Sequence, residues 1–241
     1  MTWIYGFDHP HATPPRDLKD LLGGKGANLA EMTSVLGLPV PPGFTITTEA
    51  CVAYLADGWP DGLDAEIAEH VAALEGAMGR RFGDPDDPLL LSVRSGAKFS
   101  MPGMMDTILN LGLNDASAVG LGRVTGQPWF ALDSHRRLLQ MYGTTVAGVD
   151  GEVFDHADDL DEAGLAAEVE RFARAYEGAV GAPFPQDPAV QLREAVEAVF
   201  RSWNTPRADA YRRREGIPDD LGTAVNVQVM VFGNRDDRSG T

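Results

Sequence analysis

Cysteine occurs once in these 241 residues, at Cys51, and lysine only three times, at Lys19, Lys25 and Lys98. A single thiol excludes an intramolecular disulfide and a cysteine metal cluster, and it suits a reducing compartment. No apolar run approaches the length of a membrane span. The opening "MTWIYGFDHPHATPP" has neither the basic start nor the apolar stretch of a signal peptide. Positive charge is scarce too, with 20 Lys+Arg against 36 Asp+Glu and a formal net charge of −16. Such a surface repels nucleic acid and anionic membrane, and an anionic small ligand needs local cations set against that field. The expectation is a soluble, cytoplasmic protein with neither nucleic acid nor membrane as a partner. Hydrophobic residues at 44% and charged residues at 23% are ordinary for a globular chain.

In "LLGGKGANLAEMTSVLGLPVPPGFTIT" the glycines Gly23, Gly24 and Gly26 read as a flexible turn. Leu29, Met32 and Leu36 then recur at helical spacing, and Gly37 before Pro39 ends the helix. A short strand is predicted through Phe44 and Ile46. Thr47 or Thr48 is predicted to cap a helix reaching Leu55, and another helix covers Leu63 to Met78. "DPDDP" is a surface turn and "LLLSVRS" a buried strand. From about Asn114 to Pro188 the texture is helical. "PAVQLREAVEAVFRSWN" puts Leu192, Val196 and Phe200 on one face, and Pro206 suits the first position of the next helix. "TAVNVQVMVF" is a strand followed by a turn-rich tail. A strand with such a tail predicts a returning strand, which points to a piece of a longer protein.

Two stretches carry chemistry. "GGKGAN" fails the P-loop pattern, because Gly26 follows the lysine and Lys19 holds the first glycine's place. It fails the dinucleotide fingerprint as well, with Leu29 where the third glycine belongs. Free N–H groups at a helix start with a lysine above them still suit a phosphate. Spacing alone favours a glycine-lined helix start with a solvated lysine. In "SVRSGAKFSMPG", Arg94 offers a planar fork at a strand end, and Ser95 and Gly96 open a loop that Lys98, Ser100, Gly103 and Thr107 extend. The alternative is Arg94 paired with a carboxylate and Met101, Met104 and Met105 as core filler. The five histidines, His9, His11, His70, His135 and His156, form no triad. Asp84, Asp86 and Asp87 read as a solvated turn, and Arg212, Arg213 and Arg214 as one exposed helix face.

These residues together resemble the N-terminal region of the pyruvate, phosphate dikinase family. The likeness rests on "LLGGKGANLAEMTSVLGLPVPPGFTITTEAC", "LSVRSGAKFSMPGMMDTILNLGLND", "DSHRRLLQMYG", "RSWNTPRADAYRR" and "TAVNVQVMVFGN", in the family's order. The resemblance implies an α/β (α+β), ATP-grasp-like nucleotide-binding domain. It is incomplete, with residues 1–110 and 188–241 forming the nucleotide-binding part and 111–187 a helical insert. It implies ATP and Mg²⁺ as ligands, with Lys25 and Arg94 as phosphate-contacting cations. The loop from Ser95 to Thr107 covers the phosphates, and Gln228 and Met230 lie near the adenine. It further implies a swivelling phosphohistidine domain and a pyruvate-binding barrel elsewhere in the full-length enzyme, with room for a homodimer. The phosphoryl-accepting histidine and the Mg²⁺ ligands fall beyond Thr241, so a piece ending there is expected not to turn over. A phosphoenolpyruvate synthase-like dikinase and a non-catalytic nucleotide-binding module are the competing expectations.

Overall fold

The computed structural model describes residues 2–101, 107–157 and 160–232. Among them are eight helices and seven strands, in a mixed α/β architecture. The chain divides into two compact units. The first comprises Met1–Ala77, Val93–Thr107 and Val196–Val229, and the second Met78–Ser92, Ile108–Ala195 and Met230–Thr241.

In the first unit, strands β1 (Ile4–Gly6), β2 (Gly43–Ile46), β7 (Ala224–Val229) and β5 (Leu91–Gly96) lie side by side in the order β1-β2-β7-β5. β1 and β2 are antiparallel, with Tyr5 opposite Thr45, and β2 and β7 are antiparallel, with Thr45 opposite Asn226. Every residue of β7 is buried, including Asn226 and Gln228, which alternate with its valines in a strand covered on both faces. Helix α1 (Lys19–Ala30) packs on this sheet and runs on as a π-turn, Glu31–Val35. Here the structure corrects the sequence reading. Gly24 and Gly26 are helical rather than part of a flexible turn, and Gly23 alone breaks the helix, at φ 66°, ψ 171°. The buried face is also not the one that Leu29, Met32 and Leu36 suggested. It consists of Leu22, Gly23, Gly26, Ala27 and Ala30, while Leu36 is 58% exposed. Small residues face the sheet because the helix comes very close. A Cβ on Gly26 would meet Thr45 Oγ1 at 2.7 Å and Asn226 Oδ1 at 3.0 Å.

The remaining elements of this unit follow local signals. Thr47 caps α2 (Thr48–Asp57) by accepting the Ala50 N–H, and the Thr48 hydroxyl donates to the Asp20 carbonyl, tying α2 to α1. α3 (Leu63–Met78) has the predicted bounds. Thr205 caps α8 (Pro206–Glu215), with Pro206 in its first turn. The arginine run of α8 is not one exposed face. Arg213 and Arg214 are exposed, but Arg212 is buried against the Trp203 ring, 4.4 Å from its centroid, and donates to Asp219. Asp219 and the aromatic face make that burial tolerable for a guanidinium. Cys51 is buried on α2, and burial pushes its thiol up to about 12, which leaves it unreactive.

The second unit is largely helical. It contains α4 (Asp115–Thr125), α5 (Pro128–Thr145), α6 (Glu162–Val180) and the first half of α7 (Pro188–Ser202). β6 (Thr107–Leu111) belongs mostly to it, as does the short parallel pair β3 (Arg81–Phe82) and β4 (Pro88–Leu89). Between that pair, Asp84 accepts the N–H groups of Asp86 and Asp87, which makes the predicted turn and holds its carboxyl below the usual range. Gln191 is fully buried, accepting the Gly112 N–H and donating to the Leu113 and Pro185 carbonyls.

His135 on α5 is 3% exposed, packs edge-on to Phe184, and has an Nε2 without a hydrogen-bond partner among the described residues. Burial pushes its pKa down from 6.5 to about 4, against the opposing charge of Asp115. The native state therefore refuses a proton that the unfolded chain accepts below pH 6.5. Stability is expected to fall by about 1.4 kcal/mol per pH unit as pH drops from 6.5 to 4. It then levels off after a total loss of about 3 kcal/mol. Urea unfolding at pH 7 and pH 4.5 measures this, and His135→Phe should remove that part of the slope.

Candidate functional site

The kink at Gly23 allows two glycine-bearing stretches to touch. The Gly24 N–H donates to the Ala97 carbonyl at 3.0 Å, and the Lys25 ammonium donates to the Ser95 carbonyl at 2.7 Å. A Cβ on Gly23 would lie 1.5 Å from the Gly96 carbonyl oxygen, and one on Gly96 would lie 2.5 Å from Asn226 Nδ2. The glycines thus serve backbone-to-backbone packing first. Whatever they offer a ligand comes from the helix start they position. At the helix start after the kink, the Gly24 N–H is turned outward from α1 and taken by the Ala97 carbonyl.

Over this junction lies a cleft of about 430 Å³, lined by Lys19, Gly24, Lys25, Asn28 and the strap from Ser95 to Met101. Of the residues singled out in the sequence, it gathers Lys25, Ser95, Gly96, Lys98 and Ser100. Lys98 is pinned by Asp20, with Nζ 2.5 Å from Oδ1, and the Tyr211 hydroxyl donates to the Ser100 carbonyl at 3.4 Å. The first contact holds the strap over the start of α1, and the second ties it to α8.

The electrostatics are one-sided. Lys25 has its pKa lowered, first by desolvation of the ammonium and then by the neighbouring charge of Arg94. Arg94 is exposed on β5, has no carboxylate partner among the described residues, and stands beside the cleft without lining it. Two cations held close with no carboxylate between them leave an unbalanced positive field, which is an anion's binding condition.

Other sequence-chosen residues fall elsewhere. Thr107 is half-buried at the start of β6. Gln228 is buried on β7, where its amide donates to the Pro41 carbonyl. The Met230 N–H donates to the Leu90 carbonyl. None of these lines the cleft, and Gly103, Met104 and Met105 lie outside the described residues. The sequence reading missed Lys19, Asn28 and Asp20. Asn28 closes the GGKGAN stretch without having been singled out, Lys19 and Asp20 stand outside the glycine stretches, and the kink that brings Lys19 over is a tertiary feature. Met101, suspected as core filler, is buried yet forms part of the lining.

A small-residue helix start packed on a central strand under a basic strap is the arrangement of a nucleotide-binding domain. The chain matches the family model described as "Pyruvate phosphate dikinase, AMP/ATP-binding domain" over residues 19–61 and 59–241, and it belongs to that family. It is 52% identical over 254 residues to the pyruvate, phosphate dikinase of Rhizobium meliloti (strain 1021), an alignment covering 99% of this chain and 28% of the relative. Identity to that of Clostridium symbiosum is 50% over 255 residues, covering 99% and 29%. For Giardia intestinalis it is 52% over 237 residues, covering 92% and 27%. The chain thus spans between a quarter and a third of the length of these relatives. No helix among the described residues is long and apolar enough to cross a membrane.

Proposed function

We propose that this chain is the Mg-ATP-binding part of a pyruvate, phosphate dikinase. That enzyme converts ATP, phosphate and pyruvate to AMP, pyrophosphate and phosphoenolpyruvate. In this reading the chain presents the β-phosphoryl group to a histidine on another, swivelling domain, and a barrel domain binds pyruvate. Residues 1–110 and 188–241 carry the nucleotide, and 111–187 form the helical insert. The observation that carries the proposal is the convergence of Lys25 and Arg94, unneutralised, beside a cleft whose strap is latched over a helix start.

Phosphoryl transfer is governed by positioning and charge neutralisation more than by proton transfer, so a site of cations and backbone N–H groups suffices for the protein's share. Lys25 and Arg94 would take the phosphate charge. The Ser95–Met101 strap would exclude water, and Gln228 and Met230 would lie toward the base. The described residues contain no group of three or more carboxylate, histidine or cysteine side chains able to hold a metal ion. In this reading the Mg²⁺ ligands lie beyond Thr241, and the ion arrives with the triphosphate.

The pH dependence tests this reading. Only protonated Lys25 binds phosphate, and its pKa is lowered from 10.5. ATP affinity should be full below that lowered pKa and lost as pH rises through it, earlier than for an ordinary lysine. Calorimetric titrations between about pH 8 and 10.5 measure the midpoint. Arg94→Ala should move it upward by removing the like charge, and Lys25→Arg should flatten the curve. A profile identical in all three proteins would contradict the proposal.

A further inference from the structure

All three lysines of the chain line one cleft, and no arginine among the described residues does. Each lysine comes from a different piece of backbone. Lys19 opens α1 before the kink, Lys25 follows the kink, and Lys98 sits in the strap. On an unbroken helix, residues six apart point about 120° away from each other. The left-handed Gly23 redirects the chain so that both Lys19 and Lys25 reach the same cavity. Lys19 is exposed and has no ion-pair partner among the described residues, in a chain with 36 acidic residues. Asp20, its neighbour, is spent on Lys98. An ammonium is a compact charge on a flexible stem, suited to following a phosphate chain rather than gripping one planar group.

We infer that Lys19 is a third phosphate-binding residue of this cleft, and that the three lysines together select a polyphosphate tail over a single phosphate. The inference rests on the nucleotide reading above. Lys25 is anchored to the Ser95 carbonyl and meets whichever phosphate reaches the helix start. Lys19 and Lys98 stand on other parts of the wall of the 430 Å³ cleft, and in this inference one phosphate held at Lys25 does not span to Lys19. A monophosphate therefore leaves Lys19 idle, while a chain of phosphates engages it. This would make the domain hold a triphosphate and release a monophosphate. Lys19→Gln should weaken tripolyphosphate binding about fivefold to tenfold, the scale of one lost, partly solvated charge contact, and leave AMP affinity nearly unchanged.

Three lysines give three resolvable side-chain signals in a ¹³Cε-lysine-labelled chain, each assigned with a Lys→Arg variant. The chain is titrated with tripolyphosphate and, separately, with AMP. The expected result is that tripolyphosphate moves all three signals and AMP leaves that of Lys19 in place. Movement of Lys25 and Lys98 without Lys19 overturns the inference and leaves the nucleotide reading standing. Equal movement of Lys19 with AMP overturns the selectivity. If no lysine signal moves with either probe, the phosphate site itself is refuted and the inference falls with it.

Discussion

Gly23→Ala is expected to cost about 4 kcal/mol or more of folding stability, enough to remove most of the margin of an ordinary domain. Two effects add. At φ 66°, ψ 171° the backbone occupies a region that side chains with a Cβ avoid, worth about 1–3 kcal/mol. The new Cβ would also fall 1.5 Å from the Gly96 carbonyl oxygen, and both partners are main chain, so no side-chain rotation relieves the clash. Gly37 provides the control. It too has a positive φ, 61°, but a Cβ there meets nothing within 4 Å. Gly37→Ala should therefore cost only the conformational part, about 1–2 kcal/mol. Urea unfolding of the two variants beside the parent measures the difference. Equal losses would show that the Gly23–Gly96 approach is not a close-packed contact.

Lys25→Ala should weaken ATP binding by about 10- to 100-fold, since a charge-assisted hydrogen bond contributes about 1.5–3 kcal/mol and each 1.4 kcal/mol is tenfold. The ammonium already touches the Ser95 carbonyl, so the strap that would cover the phosphates loses an anchor together with the charge. Arg94→Ala should have a smaller effect, because Arg94 stands beside the cleft and acts through the field it shares with Lys25. Circular dichroism confirms that each variant is folded before its affinity is interpreted. Unchanged affinity in Lys25→Ala would assign that lysine a purely structural role, as a clamp between α1 and β5.

What the sequence shows about this fold is what depends on near neighbours. Thr47 and Thr205 as caps, α3 from Leu63 to Met78, and the buried face of Leu192, Val196 and Phe200 all follow from spacing within one element. The failures share a different cause. Gly23, Gly24 and Gly26 look like a turn in isolation, yet two of them are helical because α1 must approach β7 at the distance of Thr45 and Asn226. Leu36 looks like core and is exposed, because small residues rather than large ones face the sheet. Arg212 reads as a surface charge until Trp203 and Asp219, which lie outside its own helix, surround it. The candidate site divides the same way. Lys25 and the strap stand out through their glycines, whereas Lys19 and the Lys98–Asp20 latch emerge only after the chain has folded.

The most direct test is the position of ATP itself, read from electron density in crystals of the chain grown with the nucleotide. Phosphates are expected against the Gly24–Lys25 helix start and beneath the Ser95–Met101 strap, with the Lys25 ammonium within hydrogen-bonding distance of a phosphate oxygen. Phosphates bound elsewhere, with Lys25 still donating only to the Ser95 carbonyl, would contradict that placement.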